Sequence, residues 1–398
     1  MRRRAPRTLL VALLATPGAL PAVELGGYLA AEQRLFAAQP ADPRAHGANA
    51  SLVAAPELAW EWNEARDTLT VVPFLRLDQG DPERSHADLR EALWTHAAGP
   101  WELRAGIGTV FWGVTESRHL VDVVNQTDLV EDIDGEDKLG QPMIDLTLLP
   151  AWGTVDLLLL PYFRPRTFPG PGGRLRSTPR VDAGQARYES GARRHHLDLA
   201  LRWSASLGDY DIGIAWFRGT AREPTLLAGR SGSGEPVLVP LYEQIDQLSL
   251  DLQVTKGAWL WKLEALTRYR QGPRTFSAAV GGLEYTFFGV LGTRADLGVL
   301  AEYAFDDRGG AAGTAFQNDL FTGLRLALND PASSELLIGV LDDLSSGERF
   351  LNLEASRRLG DRWRLSVEGR VISDPRPGSV LHGLRRDDYL QLELARYF

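Results

Sequence analysis

The sequence predicts an all-β protein, a transmembrane antiparallel up-and-down β-barrel of about 18 strands, and three observations carry this. Segments of alternating polarity follow one another from Val23 to the end, with no apolar period of 3.6 residues sustained over several turns. The connections between them alternate, long then short. The last ten residues, Tyr389 to Phe398, form a strand in which Leu390, Leu392 and Leu394 share one face with Phe398 while Gln391 and Glu393 take the other. Arg396 interrupts the apolar face only near its end, where a long side chain reaches the headgroups.

At the opposite end, Arg2, Arg3, Arg4 and Arg7 precede an apolar run from Thr8 to Leu20, and small residues follow from Ala19 to Ala22. Charged, apolar and cleavage regions in that order mark a secretory signal peptide over residues 1–22, leaving 23–398 as a single barrel domain. Past Val23 no segment approaches the ~18 consecutive apolar residues of a membrane helix, and the richest cluster, Leu157 to Leu160, stops at Pro161. A mean hydropathy of −0.18 fits a barrel, which shows lipid only alternate residues. With no cysteine the chain has no disulfide, thiolate metal site or cysteine nucleophile. A net charge of −9 argues against a general nucleic-acid binder, which needs a concentrated basic face.

Taken in order from Val23, the expected connections are about 37–50, Asn63 to Asp67, Gln79 to Arg84, Ala97 to Pro100, about 114–142 and Ala151 to Thr154. Then come about 164–194, Gly208-Asp209, about 222–242, Lys256-Gly257, Gln271 to Thr275 and Phe288 to Arg294. The series ends with Asp306 to Ala315, Asn329 to Ser333, Ser345 to Glu348, Gly360 to Arg362 and about 373–386. Seventeen connections give 18 strands, and merging one weak hairpin gives 16. Long connections fall on the odd-numbered side, as expected if one rim faces the exterior and the other carries periplasmic turns. A soluble sandwich would also alternate, but the even count and alternating lengths are hard to obtain from one.

Individual strands declare both faces. Leu197, Leu199, Leu201 and Trp203 alternate with Asp198, Ala200, Arg202 and Ser204, and Trp363, Leu365 and Val367 with Arg364, Ser366 and Glu368. Recurrent charge on one face requires water there, since a buried unpaired charge costs several kcal/mol. Trp101, Trp152, Trp259 and Trp363 beside short turns, with Trp112, Phe163, Trp216 and Phe305 near the opposite ends, suggest two interfacial belts.

At Leu103-Arg104-Ala105-Gly106, then Phe111-Trp112-Gly113, then Val123 to Leu129 with Asn125 and Asp128, the chain resembles the alginate-export porin and related proteobacterial barrels. About 25 of 398 residues carry this likeness, and Ile107-Gly108 stands where Arg-Gln is expected. The resemblance implies a barrel fold, without an alginate substrate. The terminal Phe398 likewise resembles the signal read by the bacterial barrel-assembly machinery.

Charge is concentrated in two long connections. Val114 to Pro142 holds Glu116, Asp122, Asp128, Glu131, Asp132, Asp134, Glu136 and Asp137 against Arg118 and Lys138. Arg164 to Arg194 holds eight arginines, among them Arg174, Arg176 and Arg180, against Asp182 and Glu189. On one rim the two would attract and fold over or into the lumen as a constriction, with Asp122, Asn125, Asp128, Arg174, Arg176 and Arg180 as its candidate residues; independently solvated loops are the alternative. Within the wall Arg104, Arg202, Lys262, Arg268, Arg270, Arg325 and Arg370 share the water side with Asp198, Asp251, Glu264, Glu302, Glu354 and Glu368. Such arginines either select anions or acidic sugars or are neutralised by neighbouring carboxylates that stiffen the wall.

Catalytic signatures such as Gly-x-Ser-x-Gly and His-Glu-x-x-His are missing from the sequence, and His195-His196 point to opposite faces of a strand. The expected role is therefore a passive or selective channel for small hydrophilic solutes, anionic or sugar-like, without cofactor or metal. Its surroundings would be outer-membrane lipid and lipopolysaccharide. A sealed binding or assembly barrel, or a membrane hydrolase, is the alternative.

Overall fold

The computed structural model describes residues 23–312 and 314–398, so the signal peptide expected at 1–22 lies outside the described residues. Eighteen strands form one closed sheet: β1 (Val23–Phe36), β2 (Ala48–Trp62), β3 (Asp67–Asp78), β4 (His86–Ala97), β5 (Trp101–Gly108), β6 (Gln141–Leu148), β7 (Thr154–Leu160), β8 (Asp198–Leu207) and β9 (Tyr210–Thr220). The second half is β10 (Gln244–Lys256), β11 (Trp259–Tyr269), β12 (Phe276–Phe287), β13 (Asp296–Asp306), β14 (Asn318–Ala327), β15 (Glu335–Asp343), β16 (Arg349–Leu359), β17 (Trp363–Ser373) and β18 (Tyr389–Tyr397). Each strand pairs antiparallel with its neighbours in sequence, and β1 closes on β18 from Tyr28 opposite Tyr397 to Phe36 opposite Tyr389.

Turn chemistry sets the short rim. The two-residue turns Gly208-Asp209 and Gly257-Ala258 place glycine at φ 66° and 62°, where a side chain would be strained. The first described residue, Val23, and the last, Phe398, lie on this rim: Val23 sits opposite Trp60, and the Phe398 amide donates to the Gly27 carbonyl at 3.2 Å. Long connections, at 109–140, 161–197, 221–243 and 374–388, share the opposite rim.

Leu29, Leu52, Leu157, Leu201, Leu248 and Leu392 are exposed on the outer face. Around the short rim Trp101, Trp152, Trp259 and Trp363 are exposed as expected, joined by Trp62 and Trp261; Trp259 lies 5.7 Å from Trp261 and 4.6 Å from Tyr285. The other belt is partly corrected. Trp216 and Phe305 face outward, whereas Trp112 and Phe163 are buried at 5% and 0% exposure, because the connections that carry them fold inward.

That inward fold creates a core inside the barrel. Trp112, Val121, Val123 and Val124 of the 109–140 loop pack with Leu93, Met143, Leu158, Leu160, Phe217 and Ile245 from β4, β6, β7, β9 and β10. Fully burying such a side chain is worth about 1.5–3 kcal/mol. The run Leu157 to Leu160 is apolar on both faces for this reason: Leu157 and Leu159 are exposed on the outside and Leu158 and Leu160 sit beneath the loop.

Candidate functional site

The 109–140 loop enters the lumen through a clamp built by one side chain. Asn125 donates from Nδ2 to the carbonyls of Gly108 (3.0 Å) and Leu139 (2.8 Å) and accepts from the Val110 amide at 2.8 Å, tying the two stems together. Next to it, Asp122 pairs with Lys138 at 2.9 Å, although burial holds its carboxyl above the usual range.

Wall carboxylates then hold the loop tip by its backbone. Glu264 of β11 accepts from the amides of Val114 (2.7 Å), Thr115 (3.0 Å) and Val121 (3.1 Å) and from the Thr115 hydroxyl (2.8 Å). Glu302 of β13 accepts from the amides of Glu116 and Ser117, both at 2.8 Å, and from the Ser117 hydroxyl at 2.7 Å. Glu116 in turn reaches Arg325 and lies 3.7 Å from Lys262.

His119 bridges loop and wall, with Nε2 3.1 Å from Glu136 and Nδ1 3.7 Å from Glu264. Burial pulls its pKa down, but the hydrogen bonds and charges of the two carboxylates outweigh this and raise it from 6.5 to about 10. A raised histidine pKa favours the docked loop fully below 6.5, and that contribution fades as pH climbs toward 10. Single-channel recordings from pH 6 to 11 are expected to show conductance rising above pH 8 as the loop loosens, with a His119→Gln variant flat across the same range.

Farther along, the loop's carboxylates meet arginines of the wall. Arg76 spans Glu131 at 2.5 Å and Glu32 at 2.9 Å, and Arg84, from the β3–β4 connection, binds Glu32 and the Val130 carbonyl, both at 2.8 Å. Arg34 donates to the Glu131 carbonyl at 2.7 Å, Arg90 pairs with Asp128 at 2.6 Å, and Arg370 joins Asp134 at 2.9 Å to Glu354 at 3.0 Å. The expected attraction between the acidic and basic loops is thus corrected. The acidic loop is neutralised chiefly by the wall, because these guanidinium groups sit opposite it in the lumen. Direct bonds between the two loops are few, such as Thr167 to Asp128 at 2.6 Å and Arg166 to Gln126 at 3.2 Å.

Arg174, Arg176 and Arg180 accordingly do not face Asp122, Asn125 and Asp128. Arg174 pairs with Asp387 at 2.6 Å and Arg176 with Asp42 at 2.7 Å, stitching the 161–197 loop to the first and last loops. The Arg180 carbonyl accepts from Leu238 at 2.9 Å, joining a hairpin (Thr225–Arg230 with Pro236–Tyr242) of the 221–243 loop.

Among the proposed pore-lining residues, Arg104 pairs with Asp145, and Arg202 with Asp251 at 2.6 Å. Arg268 donates to Gln247 at 2.9 Å and Gln271 at 2.7 Å, and Glu368 accepts from Gln391 at 3.1 Å. Arg270 needs correction: it lies just past β11 with φ 71°, is exposed, and turns to Asp246, which Arg218 also approaches. The reading of arginines neutralised within the wall fits most of the set.

Sequence reasoning missed Arg34, Arg76, Arg84 and Arg90. The first two lie on the polar face of β1 and β3 and were open to the same alternation argument. Arg90 was hidden by a β-bulge: the register shifts between Val72 and Pro73, leaving Arg90 unpaired and turning its side chain over the Phe74 ring at 4.3 Å. The fold also brings His86, Asp128 and Glu131 within 4.8 Å of one another, a grouping with metal-ligand chemistry, but Arg90 and Arg76 already occupy its carboxylates.

Space remains where the loop does not pack. A cavity of about 550 Å³ lies between the loop and β14–β17, and a second of about 340 Å³ lies toward the short rim. Glu116, Leu337 and Glu354 line both. A side chamber of about 210 Å³ opens off the upper cavity toward Arg118, Arg268 and Arg308.

No family model and no curated protein matches the chain. Among solved structures, a BenF-like porin from Pseudomonas fluorescens Pf-5 superposes with a TM-score of 0.56 at 10% identity, covering 94% of this chain and 97% of that one. OmpT of Vibrio cholerae, as its loop L8 deletion mutant, gives 0.48 at 10% identity over 95% and 100%, and a mutant Rh. blastica porin 0.45 at 9% over 95% and 100%. The fold is that of a bacterial porin barrel. The finer resemblance to the alginate-export porin rests on the sequence motif alone.

Proposed function

We propose that the chain is an outer-membrane channel for small hydrophilic solutes, exported by its N-terminal leader and set among lipid and lipopolysaccharide. The observation that carries this reading is the pair of adjacent cavities along β14–β17, both lined by Glu116, Leu337 and Glu354. Barrels of this strand number are wide enough for an aqueous lumen. The solute route is eccentric, since the β4–β10 side is filled by the loop's apolar core.

The test is single-channel conductance of the refolded protein in a planar bilayer under a salt gradient. Steady conductance supports the channel, and a bilayer that stays silent despite verified folding rejects it. A sealed binding barrel is the second reading, favoured by the depth to which the loop fills the lumen, and the silent outcome is the one it requires. A preference for anions draws on the side chamber, where Glu223 is the partner of both Arg118 (4.0 Å) and Arg268 (3.7 Å); the sign of the reversal potential reports it.

Assembly would proceed through the barrel-assembly machinery, with Phe398 as part of the signal. Its side chain is exposed on the outer face. Deleting Phe398 is expected to lower the amount of heat-modifiable barrel in the outer membrane, and unchanged levels would count against that role.

A further inference from the structure

We propose, resting on the channel reading, that the upper cavity selects dipolar organic ions with an apolar body, of which an apolar α-amino acid is the simplest example. Three kinds of wall meet in this one space. The first is apolar: Phe316, Phe321, Leu337, Leu341 and Phe350 line the 550 Å³ cavity, a surface that water or a plain sugar would not use.

The second wall is cationic. Arg166 lines both the upper cavity and the side chamber, donates from Nε to Gln126 at 3.2 Å, and has no carboxylate within ion-pair distance among the described residues. Beyond it Arg118 and Arg268 share the single carboxylate Glu223 at 4.0 and 3.7 Å. Arg308 holds Asp306 at 2.6 Å. Four guanidinium groups against two carboxylates leave donors for a carboxylate arriving from solution.

The third wall is anionic. Glu116, Asp134, Glu136 and Glu354 face the same cavity, and the Glu136 and Glu354 side chains keep 56% and 44% exposure. Arg325 and Lys262 approach Glu116, Arg370 joins Asp134 to Glu354, and His119 lies 3.1 Å from Glu136, so what this side offers an arriving ammonium is the solvent-exposed oxygens of Glu136 and Glu354. A simple anion is drawn by one wall and repelled by the other, and a simple cation meets the reverse. A solute carrying both charges gains from both, and an apolar body places it on the third wall.

The test uses the full-length refolded protein in planar bilayers, with the ionic current challenged by L-phenylalanine, 3-phenylpropanoate, 2-phenylethylamine and glycine. Phenylalanine is expected to half-block the current at a concentration about tenfold below each of the others, the step that one charge-assisted hydrogen bond commands. Arg166→Gln should raise the half-blocking concentration of phenylalanine and 3-phenylpropanoate and leave the amine unchanged, with Arg166→Lys restoring most of the loss. Phe350→Ala should weaken phenylalanine and leave glycine unaffected.

Equal block by the three phenyl solutes, or glycine as potent as phenylalanine, overturns the inference. A channel that conducts steadily and is blocked by none of them also overturns it while leaving the channel reading intact. If the folded protein is silent, the channel reading falls, and calorimetric titration of the same four solutes decides the inference by the same ranking.

Discussion

Replacing Glu264 and Glu302 together by alanine is expected to release the 109–140 loop and raise single-channel conductance severalfold. Seven hydrogen bonds end on these two carboxylates, five of them from backbone amides of residues 114–121. At about 1 kcal/mol net for each, their loss removes several kcal/mol of docking, with lumen water replacing part of it. Either single variant leaves the other anchor and should give an intermediate, noisier current. The barrel itself keeps its ladders, so heat-modifiable migration should persist. Trypsin should then cut at Arg118, whose side chain is 19% exposed in the docked loop. Unchanged conductance in the double variant would mean that the apolar packing of Val121, Val123 and Val124 suffices to hold the loop.

The second large effect concerns stability. Arg76→Met leaves Glu131 facing Glu32 without the guanidinium that separates them, both carboxylates being nearly inaccessible. Breaking a buried pair from one side costs about 3–5 kcal/mol, because the remaining charge is uncompensated. The temperature at which the folded band disappears on a gel should fall clearly. Removing both members, as Arg76→Met with Glu131→Met, should recover most of the loss, since Glu32 keeps Arg84 at 2.8 Å. A double variant no more stable than the single would show that the destabilisation comes from lost shape and not from the stranded charge.

The strand count and the alternation of connection lengths were legible because both are local. A period of two and a glycine in a two-residue turn act over a few residues, and no connection required a distant partner to be recognised. The interior was less legible for a physical reason. Glu131 is bound by Arg76 and Arg34, 55 and 97 positions away, and the acidic loop's net charge says how many cations it needs without saying which. The equal and opposite basic loop was the nearest candidate in sequence, whereas closing the sheet set arginines of β1, β3, β4 and β17 opposite the acids. The apolar filling had one visible trace in Leu157 to Leu160, a strand apolar on both faces where a plain water-filled lumen would show polar residues on one.

The β1–β18 seam gives the loop a part in how the molecule is made. Arg34 on β1 donates to Gln391 on β18 and to the Glu131 carbonyl, the Tyr389 hydroxyl of β18 lies 3.1 Å from Asp132, and Arg370 of β17 holds Asp134. First and last strands therefore meet twice, once along their backbones and once through a segment from the middle of the chain. The loop behaves as a latch across a zipper: its grip on β1 and β18 together exists only once the two ends meet, and once seated it opposes their parting. Closure of the seam and the loop's contacts there are thereby coupled, and a lateral opening at this seam would first have to break the bonds of Glu131, Asp132 and Asp134 to β1, β17 and β18.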